Sequence, residues 1–119
     1  MKIKIKGEEI ELTYSLRTNI IYESIMQEAL DLEKATSINV MATLLYANIV
    51  AMIQKYKLNL TLSYDEYFDW LDDNGGIKIL NEYGFWLANQ LQQQYNITPD
   101  TPEEENDAKK KKKSKKKTS

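Results

Sequence analysis

The chain has 119 residues, 16 basic and 18 acidic side chains, a net charge of −2, and neither cysteine nor histidine. That is enough chain for one domain with one core. It excludes a disulfide framework and a thiol nucleophile, and it removes the commonest general base near neutral pH and the commonest metal ligand. An enzyme built here would rely on carboxylates, lysine or tyrosine alone, so the composition points to a non-enzymatic protein with no cofactor.

The opening Met1-Lys2-Ile3-Lys4-Ile5-Lys6 alternates charged and apolar residues and has no unbroken apolar run. It does not read as a signal peptide, and an intracellular protein is expected. The first fourteen residues predict a β-hairpin. Ile3 and Ile5 alternate with lysines, and Ile10, Leu12 and Tyr14 alternate with Glu9, Glu11 and Thr13. A Gly7-Glu8 loop of the type II′ kind would set Lys6 opposite Glu9, Lys4 opposite Glu11, Ile5 opposite Ile10 and Ile3 opposite Leu12. A two-stranded hairpin is not stable alone, so its apolar face must lie on something.

That support is expected to be helical. From Leu16 to Lys34, the residues Ile21, Tyr22, Ile25, Ala29 and Leu32 share one side of a helix, with Glu23, Gln27 and Asp31 opposite. A second helix is expected to begin near Thr36-Ser37, either of which can cap it. Its main stripe is Ile38, Met41, Ala42, Leu45, Ile49, Met52, Ile53 and Tyr56. A second stripe, Val40, Leu44, Ala47 and Ala51, runs along the other side. A helix apolar on two faces is either a central core helix or one that carries a partner surface. No charge occurs between Ala35 and Gln54, but Asn39, Asn48, Gln54 and several hydroxyls interrupt the run and argue against a membrane span.

Ser63-Tyr64-Asp65-Glu66 is a capping box that opens a helix through about Asp72, with Tyr64, Tyr67, Phe68 and Leu71 on one side. Asn74-Gly75-Gly76 ends it. A fourth helix is expected from Ile77 to Tyr95, with a main stripe of Ile77, Leu80, Gly84, Leu87, Ala88, Leu91 and Tyr95. Ile79, Tyr83 and Trp86 make a smaller second patch, and Asn96 and Pro99 close the helix.

Composition changes from Pro99 onward. Pro102-Glu103-Glu104-Glu105 is acidic and Lys109 to Lys117 is basic apart from Ser114. With no apolar residue larger than Ala108, residues 99–119 cannot offset their chain entropy and are expected to be a disordered acidic-then-basic tail. Residues 1–98 hold 8 basic and 13 acidic side chains, net −5, and the tail holds 8 and 5, net +3. The fold class expected is α+β, mostly α: an N-terminal β-hairpin packed on a small bundle of about four helices over 1–98, followed by the tail.

Several constellations suggest chemistry and fail on inspection. Aligning Gly75 to the invariant glycine of an EF-hand loop puts Trp70 at the first ligand position and Asn81 at the last, both wrong. Asp69 and Asp72 share a helix face, but nothing in the sequence drives their pKa values apart as an acid–base pair requires. No metal site is expected. The run Lys109, Lys110, Lys111, Lys112, Lys113, Lys115, Lys116 and Lys117 could contact phosphates, but it has no interleaved aromatic residues. Nucleic acid is therefore not expected as a specific partner, and the rival reading of the chain is a small nucleic-acid-associated adaptor anchored by those lysines. Val40, Leu44, Ala47, Ala51, Ile79, Tyr83 and Trp86 are the candidate partner-binding residues, set against internal helix-on-helix packing. On the partner reading, glutamate at Leu44 and Ala47 would abolish binding and leave the fold intact.

Lys2 to Arg17, the Tyr22-Glu23 pair that follows, and Ser63-Tyr64-Asp65-Glu66-Tyr67-Phe68-Asp69-Trp70-Leu71-Asp72 resemble the small tail assembly chaperones of long-tailed bacteriophages. The order hairpin, long helix, apolar helix, acidic-aromatic helix is similar as well, over about residues 1–95. The resemblance implies a non-enzymatic protein of the host cell cytoplasm, absent from the mature virion. Its partners would be the long tape-measure protein and the tail-tube subunits, and self-association is left open. Many members of that family are made in two lengths by ribosomal frameshifting. The adenine-rich codons of Lys109 to Lys113 could form a slippery run, although the basic tail departs from the shorter members.

Overall fold

In a computed structural model, residues 1–34 and 37–95 are described. They form β1 (Lys2–Ile5), β2 (Glu8–Glu11), α1 (Leu16–Met26), a single 3-10 turn (Leu32–Lys34), α2 (Ile38–Lys55), α3 (Tyr64–Asp73) and α4 (Ile77–Tyr95). The architecture is α+β and mostly α, a two-stranded antiparallel hairpin with four helices. The acidic-then-basic tail expected over 99–119, the close of the fourth helix at Asn96 and Pro99, and Thr36 as a helix cap lie outside the described residues.

The hairpin forms in a different register from the expected one. Lys2 pairs with Glu11, Ile3 with Ile10, Lys4 with Glu9 and Ile5 with Glu8, so Lys6-Gly7 is the loop. Both loop residues have positive φ, 52° at Lys6 and 81° at Gly7. That is the signature of a type I′ turn, whose twist matches the strands. The offset is two residues, and a shift of two leaves every side chain on its own face. Ile3, Ile5, Ile10 and Leu12 are all buried, and opposite charges still pair on the outer face. Leu12 N–H donates to the Met1 carbonyl at 2.8 Å, which continues the ladder past the strand ends.

The first helix is shorter than its apolar period implied. Ser15 caps it, and Gln27 ends it in the left-handed region at φ 61°, its N–H donating to the Glu23 carbonyl. The Gln27 side chain donates to the Ser24 carbonyl at 2.8 Å, which holds this unusual conformation for a non-glycine residue. Beyond it, the Asp31 carboxylate accepts the Glu33 N–H at 3.0 Å, a local bond that competes with helix. Ala29 is therefore exposed in a connection rather than buried on a helix face.

The second helix is the hub. Val40, Met41, Leu44, Leu45, Ala47, Ile49, Ala51 and Met52 are buried around its circumference. It packs against α1, α4 and β2. The third helix attaches to it by Tyr67 O–H donating to the Ala42 carbonyl at 2.6 Å and Tyr64 O–H to Thr43 Oγ1 at 3.3 Å. By length and composition Ile38–Lys55 could cross a membrane, but 56% of it is buried inside the fold. Burial on both faces accounts for its lack of charge without a bilayer.

The capping box forms as its sequence predicts. Glu66 N–H donates to Ser63 Oγ at 3.2 Å, and Ser63 N–H donates to Glu66 Oε1 at 3.0 Å. Gly75 and Gly76, both at positive φ, turn the chain from α3 into α4.

Candidate functional site

The seven candidate partner-binding residues divide by burial. Leu44, Ala47 and Ala51 have no exposed surface, and Val40 and Tyr83 are also buried. These five are core, which corrects their assignment to a partner surface. The physical reason is that α2 is enclosed by α1, α4 and the hairpin, so its second stripe has internal neighbours. Ile79 and Trp86 remain half-buried at the edge of the core, and Trp86 stacks on Tyr83 with ring centroids 5.6 Å apart.

The outer face of α4 carries a residue that neither stripe of the sequence contained. Phe85 is 79% exposed and Ile77 is 58% exposed. Ile79, Glu82, Trp86 and Asn89 follow one another at spacings of three and four, and Phe85 lies beside them, three residues from Glu82 and four from Asn89. In the sequence Phe85 was legible as the one large apolar side chain on α4 that belonged to neither stripe. On α1, Leu16 and Ile20 sit one turn apart and are both exposed.

The two stretches that carry the resemblance to tail chaperones meet in space. Trp70 Nε1–H of α3 donates to the Lys4 carbonyl at 2.7 Å. In this register the Lys4 carbonyl points away from β2, so the indole covers part of the open edge of β1. Lys6, placed in the turn by the observed register, donates to Glu66 Oε2 at 3.0 Å and to the Thr61 carbonyl at 2.8 Å. The Ser63 backbone N–H and the Lys6 ammonium together hold the Glu66 carboxyl below its usual range. Beside this junction, Tyr46 and Tyr64 stack at 4.5 Å, and Tyr64 and Phe68 at 5.0 Å. Phe68 ends this aromatic row at the surface, 47% exposed.

Among the described residues no group of three carboxylates is placed to hold a metal ion. Asp69 and Asp72 are exposed on the outer face of α3. Tyr67 and Tyr83 are two of four buried tyrosines, with Tyr14 and Tyr22, and burial raises the pKa of both well above that of an exposed tyrosine. Their hydroxyls are committed to the Ala42 carbonyl and to the Asn48 side chain. A groove of about 520 Å³ opens where the α1–α2 connection crosses Tyr22 and Val40. The tail lysines, Lys109 to Lys117, lie outside the described residues.

No protein-family model matches the chain, and neither does any curated protein or solved structure.

Proposed function

We propose that the chain is a non-enzymatic tail assembly chaperone of a long-tailed bacteriophage, acting in the host cytoplasm. It would bind the tape-measure protein and help recruit tail-tube subunits. The observation that carries this reading is the junction of its two family-like stretches. Lys2 to Arg17 and Ser63 to Asp72 are distant in sequence yet joined through Trp70–Lys4 and Lys6–Glu66. A resemblance spread over two unrelated loops would mean little, whereas one that falls on a single structural unit supports a shared architecture.

Binding would be a holding interaction. The strip around Phe85, with Trp86 and Ile79 at its inner border, offers an apolar face to an amphipathic helix of the client. Exposed apolar area of this kind shields a helical, aggregation-prone segment by covering its hydrophobic side. The test is a nuclease-treated pull-down from infected host lysate with full-length bait and with the Phe85→Glu variant. Capture of a long helical tail protein by the first and its loss with the second is the expected result. Capture that disappears with nuclease or salt, and is indifferent to Phe85, overturns the chaperone reading in favour of an adaptor that binds nucleic acid through its lysines.

A further inference from the structure

The groove between α1 and α2 has the features of a small cation site. Its floor is apolar, with Leu30 and the buried Val40 beside Tyr22. Three carboxylates, Glu28, Asp31 and Glu33, line it against a single base, Lys34. Tyr22 is only 1% exposed, yet its hydroxyl makes no hydrogen bond with any described residue. An unmatched buried hydroxyl costs free energy unless something supplies its partner. Glu28 and Asp31 line the groove together with Tyr22, and burial and these two carboxylates all raise the Tyr22 pKa. The Asp31 carboxylate has one oxygen engaged by the Glu33 N–H, at 3.0 Å.

The shape of the site selects among cations. A bare divalent ion needs converging oxygen ligands at short range, and no such group exists among the described residues. A lysine side chain fits better. Its four-carbon stem can lie along Leu30 and Val40 while its ammonium offers three donors to the Tyr22 oxygen and the carboxylates.

We propose that this groove is the docking site for the chain's own lysine run, Lys109 to Lys117, one ammonium at a time. Charge favours the pairing, since residues 1–98 carry net −5 and the segment that follows carries net +3. Reach allows it. Thirteen residues separate Tyr95 from Lys109 and can span up to about 45–50 Å, against a body of this size about 30 Å across. Tethering allows it as well, because a ligand on the same chain experiences an effective concentration of order mM, enough to fill a weak site. The proposal does not depend on the chaperone reading.

The test compares the full chain with a full-length variant in which the eight tail lysines are serine, both followed by backbone amide NMR shifts. At low salt the two should differ at Tyr22 and from Glu28 to Lys34. Added pentalysine should move the serine variant's signals toward the wild-type positions and barely affect the wild type. Combining E28Q, D31N and E33Q in the serine background should weaken pentalysine binding by about tenfold. Unchanged signals at Glu28 to Lys34 between the two chains overturn the proposal. So do peptide shifts centred on Asp65 to Asp73, and so does a difference that grows with protein concentration, which would assign the groove to a second copy's tail.

Discussion

Asn48 of α2 donates its side-chain amide to the Tyr83 hydroxyl of α4 at 2.9 Å, and neither residue has exposed surface. Thr18 of α1 donates to the Asn48 carbonyl oxygen at 3.4 Å, so three helices meet on one buried amide. An asparagine inside an otherwise apolar helix is tolerated only because both ends of its amide are matched. Removing the Tyr83 hydroxyl leaves the Asn48 N–H unmatched, and Tyr83→Phe should destabilise the fold by about 1–3 kcal/mol. Adding Asn48→Leu to that variant should cost less than the sum of the single changes, because the orphaned group is removed with it. Urea unfolding of the cycle checks this, and strict additivity would show that the two groups are not coupled.

The buried Tyr67 and Tyr83 phenols should set the alkaline limit of stability. Burial raises the Tyr67 and Tyr83 pKa values in the folded state, Tyr67 more strongly. A neutral acid with a raised folded pKa contributes stability that is complete below its unfolded pKa, near 10, and is lost as pH rises above it. Melting temperature should therefore be insensitive to these groups below about pH 10 and fall above it, as the unfolding free energy drops by up to about 1.4 kcal/mol per pH unit per phenol held neutral. Tyrosinate absorbance read alongside the melt should show these phenols ionising together with unfolding. Ionisation of every tyrosine in a still-folded protein would contradict the burial argument.

The junction between hairpin and α3 titrates at the other end of the scale. Glu66 has a lowered pKa, so its contribution is present above its unfolded value and lost as pH falls through the acid range. Glu66→Gln should flatten the acid limb of the stability profile around pH 4 without abolishing folding. Ser63→Ala removes the other half of the capping box and should cost about 0.5–2 kcal/mol at neutral pH, measured by urea denaturation.

What could be read in advance follows the same physics. Alternation revealed the hairpin's two faces, and the capping box and the Gly-Gly turn marked the boundaries of α3. The strand register was not legible, because a shift of two residues preserves the faces that alternation reports; the type I′ loop at Lys6-Gly7 decided it. The end of α1 was not legible either, since the apolar period runs on through Ala29 and Leu32 while Gln27 and Asp31 break the helix with local side-chain bonds. Burial of the second stripe of α2 depended on elements elsewhere in the chain. Periodicity could establish that both faces were apolar, but only the placement of α1, α4 and the hairpin could show that both were covered.

That distinction reverses one expectation and replaces it with a sharper one. Glutamate at Leu44 or Ala47 would place a charge where no surface is exposed, and an unpaired buried charge destabilises strongly. Even Leu44→Ala should cost about 2–5 kcal/mol by opening a cavity. Such variants should lose the cooperative thermal transition, so their failure to bind a partner would carry no information about a surface. Phe85→Glu acts on a side chain that is mostly in solvent and should change stability by no more than about 0.5 kcal/mol. Circular dichroism melts of the two variants side by side separate the roles. A folded Leu44→Glu protein would mean that α2 has an open face after all, and an unfolded Phe85→Glu protein would mean that the outer strip of α4 belongs to the core.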